Sequence, residues 1–455
     1  MTLGDAIIRT DVGPLIFENQ YLQMSTLLPE GYDFYGLGEA DKSTFRRDVD
    51  TRFRQTIWSA GQPVVQESNL YGHQPFLMGI SPVGHAFAMF LINSNALEVE
   101  FNNRVMTWRA IGGVLDFYFI VGETPTDVLK QYHNIVGRPF MPPYWAYGFQ
   151  LSRWGYPDLK TVRELVENNT ALGIPYESQY VDIDYMERFM DFTVGEKFTG
   201  LGDFAKELQD IGMKLVLIFD PAICTNPYGA TNKSYPAWED GEKQDIFIKL
   251  NDEYMKDRIL TGTVWPGLEG NDPETGEPYP PKSCPVAWPD FWKPETTRWW
   301  ADELIKYYQE VRYDAIWIDM NEPSNFMDGS YDGCAKEGTW LEKYERPPFI
   351  PKLAQDSNDM VNKTICMTST EQVPHHETGK PQTTLHYDSH SLYGHRFSQA
   401  TADAAKQIYG DKRSWIITRA QFMGTGQYTG HWLGDNYATW EQLQERGLKS
   451  TESHC

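Results

Sequence analysis

Residues 314–319 read DAIWID, four consecutive apolar residues between two aspartates. A short apolar run bounded by polar residues is typical of a strand that is buried on both faces of a parallel sheet. The preceding residues 295–312 carry apolar side chains at helical spacing, and we expect Trp299 and Trp300 among them to lie in the core. The stretch therefore predicts a helix followed by a buried strand, with Asp319 at the carboxyl end of that strand.

The same alternation of helix and strand extends in both directions from this stretch. The predicted strands cover residues 144–152, 177–184, 214–221, 314–319, 414–419 and 430–436. The predicted helices cover residues 157–173, 203–212, 295–312, 398–410 and 439–448. Alternating units of this kind form a parallel sheet, which places the chain in the α/β class.

Acidic residues stand at the carboxyl ends of several predicted strands, namely Asp182, Asp184, Asp220, Asp319 and Asp435. A (β/α)8 (TIM) barrel builds its active site at that end, with side chains from many separate strands. An open doubly wound sheet binds its ligand at one switch point, which explains acids on several strands less well. We therefore predict an incomplete barrel in which strands 1–6 of the eight are present.

The chain divides into three parts by pattern. Residues 1–123 contain short apolar segments separated by Gly, Pro and Asn, which predicts an antiparallel β domain. A linker helix follows in residues 124–143, and residues 144–455 form the partial barrel with long insertions at 226–294 and 327–389. The most apolar window, residues 76–93, is interrupted by Pro and Gly and is interpreted as two strands and a turn, not a membrane span.

Composition limits the partners. The formal charge is −23 and the sequence pI is about 4.8, which argues against nucleic acid or an anionic membrane as a partner. The chain has 15 Trp and many carboxylates, which suit a neutral, hydroxyl-rich ligand such as a sugar. The first residues have neither the basic nor the apolar region of a signal peptide.

The strand-end carboxylates suggest glycoside hydrolysis. In that reaction one carboxylate supports a cationic sugar carbon, and one carboxylic acid protonates the leaving oxygen. Motifs for other chemistries, such as a phosphate-binding Gly loop, G-x-S-x-G or H-E-x-x-H, do not occur in the sequence. We therefore expect neither a cofactor nor a metal.

The segment WIDMNEPSNF, residues 317–326, resembles the nucleophile signature of glycoside hydrolase family 31, the α-glucosidases. Further blocks resemble the family in the family's order: FQLSRWGY (149–156), DIDYM (182–186), DPAI (220–223), VWPG (264–267), CPVAWPDF (284–291), LHYDSHSLYG (385–394) and GHWLGDN (430–436). YGLGE (35–39) and NLYGHQPF (69–76) resemble its N-terminal domain, a galactose-mutarotase-like β-sandwich. The strongest resemblance is to the maltase, sucrase-isomaltase and lysosomal α-glucosidase group.

The resemblance implies a retaining α-glucosidase that acts on neutral, maltose-like oligosaccharides through a covalent glycosyl-enzyme intermediate. Asp319 matches the nucleophile and Asp435 the general acid/base, and their carboxyl groups should lie about 5–5.5 Å apart. Arg419 and Asp182 match residues that hold sugar hydroxyls, and Asp220 matches an acid that orders the site. The residues that match pocket walls are Trp154, Trp317, Met320, Phe326 and Trp432, with Ile218 and Trp265 as additions.

Alternatives remain open for several of these residues. Asp319 could cap the next helix, and Asp435 could be a turn residue. Glu322 could compete as a catalytic carboxylate, although its place after the strand favours a supporting role. Asp184 could replace Asp182, since both would point the same way if they lie on a strand. The pair His386 and His390, four residues apart, could bind a metal, although the resemblance argues against it. The histidine-rich stretch that holds this pair also includes His375, His376, His395 and Asp388.

The resemblance also implies a disulfide between Cys334 and Cys366, whereas two free thiols are the alternative for a cytosolic protein. Cys224 and Cys284 could form a second bridge, and Cys455 has no evident partner. Glycosylation sequons occur at Asn168, Asn232 and Asn362. These features predict a secretory-pathway origin for the full-length protein, whether lysosomal, extracellular or anchored at the cell surface.

The sequence departs from the family pattern in two ways. Residues 56–63 offer Gly or Gln where the family places an Asp in the pocket. The matched blocks end with the sixth strand, so we expect a chain that is truncated at both ends. The alternative function is therefore a non-catalytic, sugar-binding or partner-binding form of such an enzyme.

Overall fold

The computed structural model describes residues 9–42, 44–61, 68–225, 234–251, 258–264, 284–352 and 359–449. Within these ranges the chain forms an antiparallel β region, a connecting helix and a parallel α/β region.

The described residues before the connecting helix contain nine strands. They are β1 Ile16–Glu18, β2 Tyr21–Leu27, β3 Asp33–Ala40, β4 Phe53–Ile57, β5 Asn69–Ile80, β6 Ala86–Leu91, β7 Leu97–Asn102, β8 Val105–Ala110 and β9 Phe117–Gly122. Two antiparallel sheets result, with strand orders β1-β2-β8-β7-β4 and β3-β5-β6-β9. Phe101 and Trp108 of the first sheet and Phe34 and Phe87 of the second share one buried cluster. The predicted antiparallel sheets are therefore confirmed, and β5 and β6 pair as the two strands expected in residues 76–93.

The connecting helix α1, Pro125–Val136, begins and ends where its sequence dictates. Thr124 accepts a hydrogen bond from the Asp127 amide, and Pro125 occupies the first turn, where no amide donor is needed. Gly137 ends the helix at φ 97°, a conformation that favours glycine. Val128 and Tyr132 pack against the β region, so the helix is anchored to it.

The remaining elements alternate as predicted. The strands are β10 Gln150–Leu151, β11 Ser178–Val181, β12 Lys214–Phe219, β13 Ile223–Cys224, β14 Val286–Ala287, β15 Ala315–Ile318, β16 Thr370–Pro374, β17 Pro381–Leu385, β18 Ile416–Thr418 and β19 Gly430–His431. The helices are α2 Leu159–Ala171, α3 Leu201–Asp210, α4 Pro236–Lys243, α5 Pro294–Glu310, α6 Glu342–Glu345, α7 His386–Ser389, α8 Tyr393–Tyr409 and α9 Trp440–Lys449. Six strands form one sheet in the order β10-β11-β12-β15-β18-β19, and every described pair in it is parallel.

Several predicted elements differ from the structure. The strand expected at 430–436 covers only Gly430–His431, so Asp435 lies on the following loop and not at a strand end. The strand expected at 144–152 begins with a 3-10 turn, Tyr144–Tyr147, and only β10 pairs. The strand expected at 177–184 ends at Val181, because Asp182 caps a 3-10 turn by accepting a hydrogen bond from the Ile183 amide at 2.7 Å. The loop expected before His390 contains the hairpin β16–β17. The premise that Asp182 and Asp184 share a strand face was therefore wrong.

The core of the α/β region lies between the parallel sheet and its helices. Trp299 and Trp300 of α5 are buried there, as predicted. The Trp300 indole donates to the Thr401 hydroxyl of α8 at 3.0 Å, and that of Trp299 donates to the Ala237 carbonyl at 3.1 Å. Both indole donors are thus satisfied, which removes the cost of burying them.

Both anticipated disulfides are present, Cys334–Cys366 and Cys224–Cys284, while Cys455 lies outside the described residues. Of the sequons, Asn168 is exposed on α2, Asn362 is partly buried, and Asn232 lies outside the described residues. Within the described ranges, none of the helices is both long and apolar enough to span a membrane.

Candidate active site

Parallel pairing brings the strand-end acids to one edge of the sheet. Phe219 of β12 pairs with Ile318 of β15, so Asp220 and Asp319 follow directly from paired positions. Arg419 follows β18 in the same way, and its amide donates to the Ile318 carbonyl. The carboxyl ends of three neighbouring strands thus supply the centre of the site.

Asp319 is buried at the end of β15, and its Oδ1 accepts a hydrogen bond from the Met320 amide at 2.7 Å. Arg419 Nε lies 2.9 Å from the same oxygen. Burial raises the pKa of Asp319 well above its ordinary value; the Arg419 charge opposes this, and the carboxylates of Asp435 and Asp220 reinforce it. The ionised form of Asp319 therefore depends on the guanidinium beside it.

Arg419 is the hub of the site. Besides Asp319, its Nε and Nη2 donate to the two oxygens of Glu322 at 2.8 and 3.0 Å, and its Nη1 donates to Asp435 Oδ2 at 3.2 Å. The Met320 sulfur lies 3.2 Å from Nη2. One cation thus contacts three carboxylates, and its side chain is almost fully buried.

Glu322 is fully buried and makes the bidentate contact with Arg419, the geometry in which guanidinium and carboxylate bind most strongly. The Ser324 hydroxyl donates to Glu322 Oε2 at 2.8 Å. Gly61 of the β region packs against this pair so closely that a Cβ there would overlap Ser324 Oγ. Residues 56–63 lack the Asp that the family has in this loop. The loop nevertheless reaches the site, at Gly61.

Asp435 lies on the loop after β19, and its side chain is 57% exposed. Its amide donates to the Tyr71 hydroxyl at 3.2 Å, so a residue of the β region contacts the acid's backbone. Gly434 precedes it at φ 81°, which favours glycine. Sequence reasoning missed Tyr71, although it lies in a segment that resembles the family.

The two acids of the DID segment occupy different surroundings. Asp182 is near the catalytic candidates: burial raises its pKa to about 7, Asp184 and Asp435 add to the shift, and Arg419 opposes it. Asp184 Oδ2 instead accepts a hydrogen bond from the Gly155 amide at 2.8 Å. Asp184 thereby holds the loop that carries Trp154, whose surface is 61% exposed.

Asp220 is buried, and its amide donates to Asp191 Oδ1 at 2.8 Å. Asp191 is itself buried, which raises its pKa well above the ordinary value. Asp191 was missed because it lies among 3-10 turns, with no strand end to mark it.

The residues predicted to form the pocket walls differ in burial and in their ring contacts. Trp317 and Trp432 meet edge to face with ring centroids 5.4 Å apart, and the Tyr180 and Trp317 ring centroids lie 5.8 Å apart. Ile218 is buried on β12, whereas Phe326 is 42% exposed. Trp265 lies outside the described residues.

The histidine pair forms a buried hydrogen-bond chain. His386 Nδ1 lies 2.5 Å from Glu371 Oε1, His386 Nε2 lies 2.9 Å from His390 Nδ1, and His390 Nε2 lies 2.7 Å from the Ser59 carbonyl. Each of the four ring nitrogens is thus engaged by a protein atom, which leaves none available to a metal.

A cavity of about 420 Å³ lies elsewhere, lined among others by Phe140, Trp415 and His431. Phe140 precedes β10 and Trp415 precedes β18, so the cavity lies toward the amino ends of the strands. None of the predicted site residues lines it. The acids at the opposite strand ends are therefore the candidate active site.

Comparison with known proteins identifies relatives that cover almost the whole chain. The chain is 41% identical over 444 residues to intestinal sucrase-isomaltase of Homo sapiens, which covers 97% of this chain and 22% of that protein. It is 37% identical over 443 residues to the lysosomal alpha-glucosidase of Mus musculus, covering 97% of this chain and 42% of that protein. The chain thus spans less than half the length of these relatives.

A crystal structure of a family 31 alpha-glucosidase from Bacteroides thetaiotaomicron has the same fold, with a TM-score of 0.68 at 24% identity, covering 95% of this chain and 60% of that one. Residues 139–450 match the profile of the glycosyl hydrolases family 31 TIM-barrel domain. That range holds the parallel sheet, Arg419 and the three carboxylates that contact it, Asp319, Glu322 and Asp435. The chain belongs to glycosyl hydrolase family 31.

Proposed function

We propose that the chain is the catalytic part of a retaining α-glucosidase, with Asp319 as nucleophile and Asp435 as general acid/base. The observation that carries this is the shared contact with Arg419, whose guanidinium lies 2.9 Å from Asp319 and 3.2 Å from Asp435. Two carboxyl groups that contact one guanidinium are close enough to act on the same glycosidic bond, as retention requires.

The reaction runs in two steps. Asp319 attacks the anomeric carbon and the glycosidic C–O bond breaks, while Asp435 gives its proton to the leaving oxygen. Asp435 then removes a proton from water, which attacks the same carbon and releases Asp319, so the α configuration is retained. The exposure of Asp435 suits this role, because both the leaving sugar and the water must reach it.

The other residues hold the sugar and the catalytic groups. Asp182 and Arg419 bind hydroxyls of the reacting sugar, and Glu322 fixes Arg419 through its bidentate contact. Trp317 and Trp432 present aromatic faces to the pyranose, as do Trp154 and Phe326 at the open side. Asp220 orders the site, with Asp191 holding its amide. Neutral, maltose-like oligosaccharides with a terminal α-linked glucose are the substrates.

The architecture follows the same proposal. The two antiparallel sheets of residues 1–123 pack as a β-sandwich, residues 124–143 connect, and the six parallel strands of residues 144–455 belong to a (β/α)8 barrel. The shared apolar cluster between the sheets supports the sandwich, and the family profile supports the barrel.

Two disulfides support passage through the secretory pathway, because such bonds persist in oxidising compartments. The relatives named intestinal and lysosomal agree with this. Asn168 is exposed and should carry a glycan. Endoglycosidase treatment should then lower the apparent mass of the wild-type chain on a gel, and Asn168→Gln should lose this mass shift.

Glucose release from maltose tests the proposal. The wild-type chain should hydrolyse maltose, and Asp319→Asn and Asp435→Asn should each lose at least ~100-fold in rate. Asp203→Asn on the exposed side of α3 is the matched control and should keep full activity. Proton NMR should show α-glucose as the first product. A folded chain that binds maltose without hydrolysing it would instead identify the non-catalytic, sugar-binding alternative.

A further inference from the structure

Tyr71 lies near the start of β5 in the β region, yet its buried side chain reaches the carboxylate site. The carbon of the Arg419 guanidinium lies 4.6 Å from the centre of its ring, a cation–π contact. Its hydroxyl accepts the hydrogen bond from the Asp435 amide at 3.2 Å. One side chain therefore contacts both the cation at the centre of the site and the backbone of the proposed acid.

The loop before Asp435 is shaped to lie on this ring. A Cβ at Gly434 would overlap three atoms of the Tyr71 side chain, including its hydroxyl oxygen. The φ of 81° at Gly434 further restricts the position to glycine. Residues 434–435 therefore rest directly on the aromatic ring, and the ring fixes how far the loop extends toward Arg419.

The residues that follow Tyr71 connect the β region to the α/β region. The next residue, Gly72, donates its amide to Glu39 Oε2 at 3.0 Å. His73 donates its amide to the Gln421 carbonyl at 2.8 Å, and its ring stacks on Phe422 with centroids 5.2 Å apart. Gln421 and Phe422 follow Arg419 by two and three residues. The ring and the guanidinium it supports are thus anchored to the same backbone bridge.

The Tyr71 hydroxyl can also donate a hydrogen bond. Burial raises the pKa of Tyr71, so the hydroxyl keeps its proton through the physiological range. Because the oxygen accepts from the Asp435 amide, the proton remains available to a second acceptor at the site.

We propose that Tyr71 is a positioning residue that sets the placement of Asp435 for proton transfer, which makes the β region part of the catalytic apparatus. The proposal rests on the function proposed above, since it assigns Tyr71 a role in the acid step alone. A residue that merely stabilised the fold would affect all substrates equally.

The test compares two substrates in Tyr71→Phe, which keeps the ring on Arg419 and removes the hydroxyl. We expect kcat/KM for maltose to fall about 10- to 100-fold, as a partial loss of acid catalysis predicts. For α-glucosyl fluoride, whose fluoride leaves with little help from an acid, we expect a change below about 3-fold. Tyr118→Phe, in β9 of the same region and away from the site, is the matched control and should alter neither.

Amide hydrogen exchange provides a readout that does not need turnover. In Tyr71→Phe the peptide spanning residues 432–436 should exchange at least about tenfold faster, because the Asp435 amide loses its acceptor. Equal losses for both substrates, or unchanged exchange at that peptide, would overturn the proposal. If the wild-type chain cleaves neither substrate, the proposed function fails, while the exchange experiment still decides the placement of Asp435.

Discussion

Replacing Arg419 by Met removes the only cation that contacts Glu322 and Asp319 among the described residues. Met is similar in length, and an apolar side chain can still pack against the Tyr71 ring. The perturbation therefore removes a charge and its hydrogen bonds from the buried site while most of the volume remains. The change in the free energy of unfolding should therefore come mainly from the buried carboxylates, which lose their cationic partner.

The size of the effect follows from burial. Removing one partner of a buried ion pair costs about 3–5 kcal/mol, because the other charge remains without compensation. Glu322 is 0% exposed and Asp319 8%, so both fall in this class. Asp435 is 57% exposed, and its contribution is at most about 1 kcal/mol. We expect Arg419→Met to lower the free energy of unfolding by about 4–5 kcal/mol at pH 7.5.

The loss should depend on pH with a definite sign. A buried carboxyl without its cation takes up a proton in the folded variant, whereas the unfolded chain is ionised above about pH 5. The folded variant then binds more protons than the unfolded one, so its stability rises as the pH falls. The deficit should shrink by about 1.4 kcal/mol per pH unit for each such carboxyl between pH 7.5 and 5.5.

Urea unfolding followed by tryptophan fluorescence at both pH values measures this deficit. Arg163→Met, which breaks the exposed pair with Glu207, is the control and should cost at most about 1 kcal/mol at either pH. The double variant Arg419→Met/Glu322→Gln should recover part of the loss and show a weaker dependence on pH. A deficit below about 1 kcal/mol, or one that is equal at both pH values, would refute the reasoning.

Three further predictions follow from the site and its surroundings. Burial raises the pKa of Asp319, and as the proposed nucleophile this residue must be ionised. As the pH is lowered, kcat/KM for maltose should therefore begin to fall at a pH above about 4, the ordinary Asp value, and an acid limb at or below pH 4 would contradict this. Gly434→Ala should destabilise the loop and abolish most maltose hydrolysis, since its Cβ would overlap Tyr71; unchanged kcat/KM would be contrary evidence. Cys366→Ser opens the bridge to Cys334, 32 residues away, and should lower the free energy of unfolding by about 3–4 kcal/mol in a urea titration, and a loss below about 1 kcal/mol would argue against the bridge as a major support.

The centre of the site was predictable from local sequence because of a geometric rule. The carboxyl ends of parallel strands meet at one edge, so acids after apolar runs, such as Asp220 and Asp319, were bound to converge. Asp182 was found by the same rule, although for a partly mistaken reason. Its strand ends earlier than expected, and a 3-10 turn, not strand alternation, separates it from Asp184.

The missed residues share a different origin. Tyr71 comes from the β region, 364 positions before the acid it approaches, and its placement depends on how the two regions pack. Asp191 contacts Asp220 from a segment of short turns. Periodicity describes one element at a time, so it carries no information on which distant side chains an interface will bring together.

The proposed reaction explains why three carboxylates contact a single cation, Arg419. Three carboxylates surround one guanidinium, so the group carries an excess of negative charge whenever more than one of them is ionised. This excess, added to burial, raises the pKa of Asp319 and disfavours the ionised form that the proposed nucleophile needs. As the glycosidic bond breaks, positive charge develops on the sugar, and the same excess then stabilises it without any rearrangement. The same negative charge thus destabilises the ionised form of Asp319 before the reaction and stabilises the cationic transition state during it. This is why Arg419 must hold the carboxylates together without neutralising them.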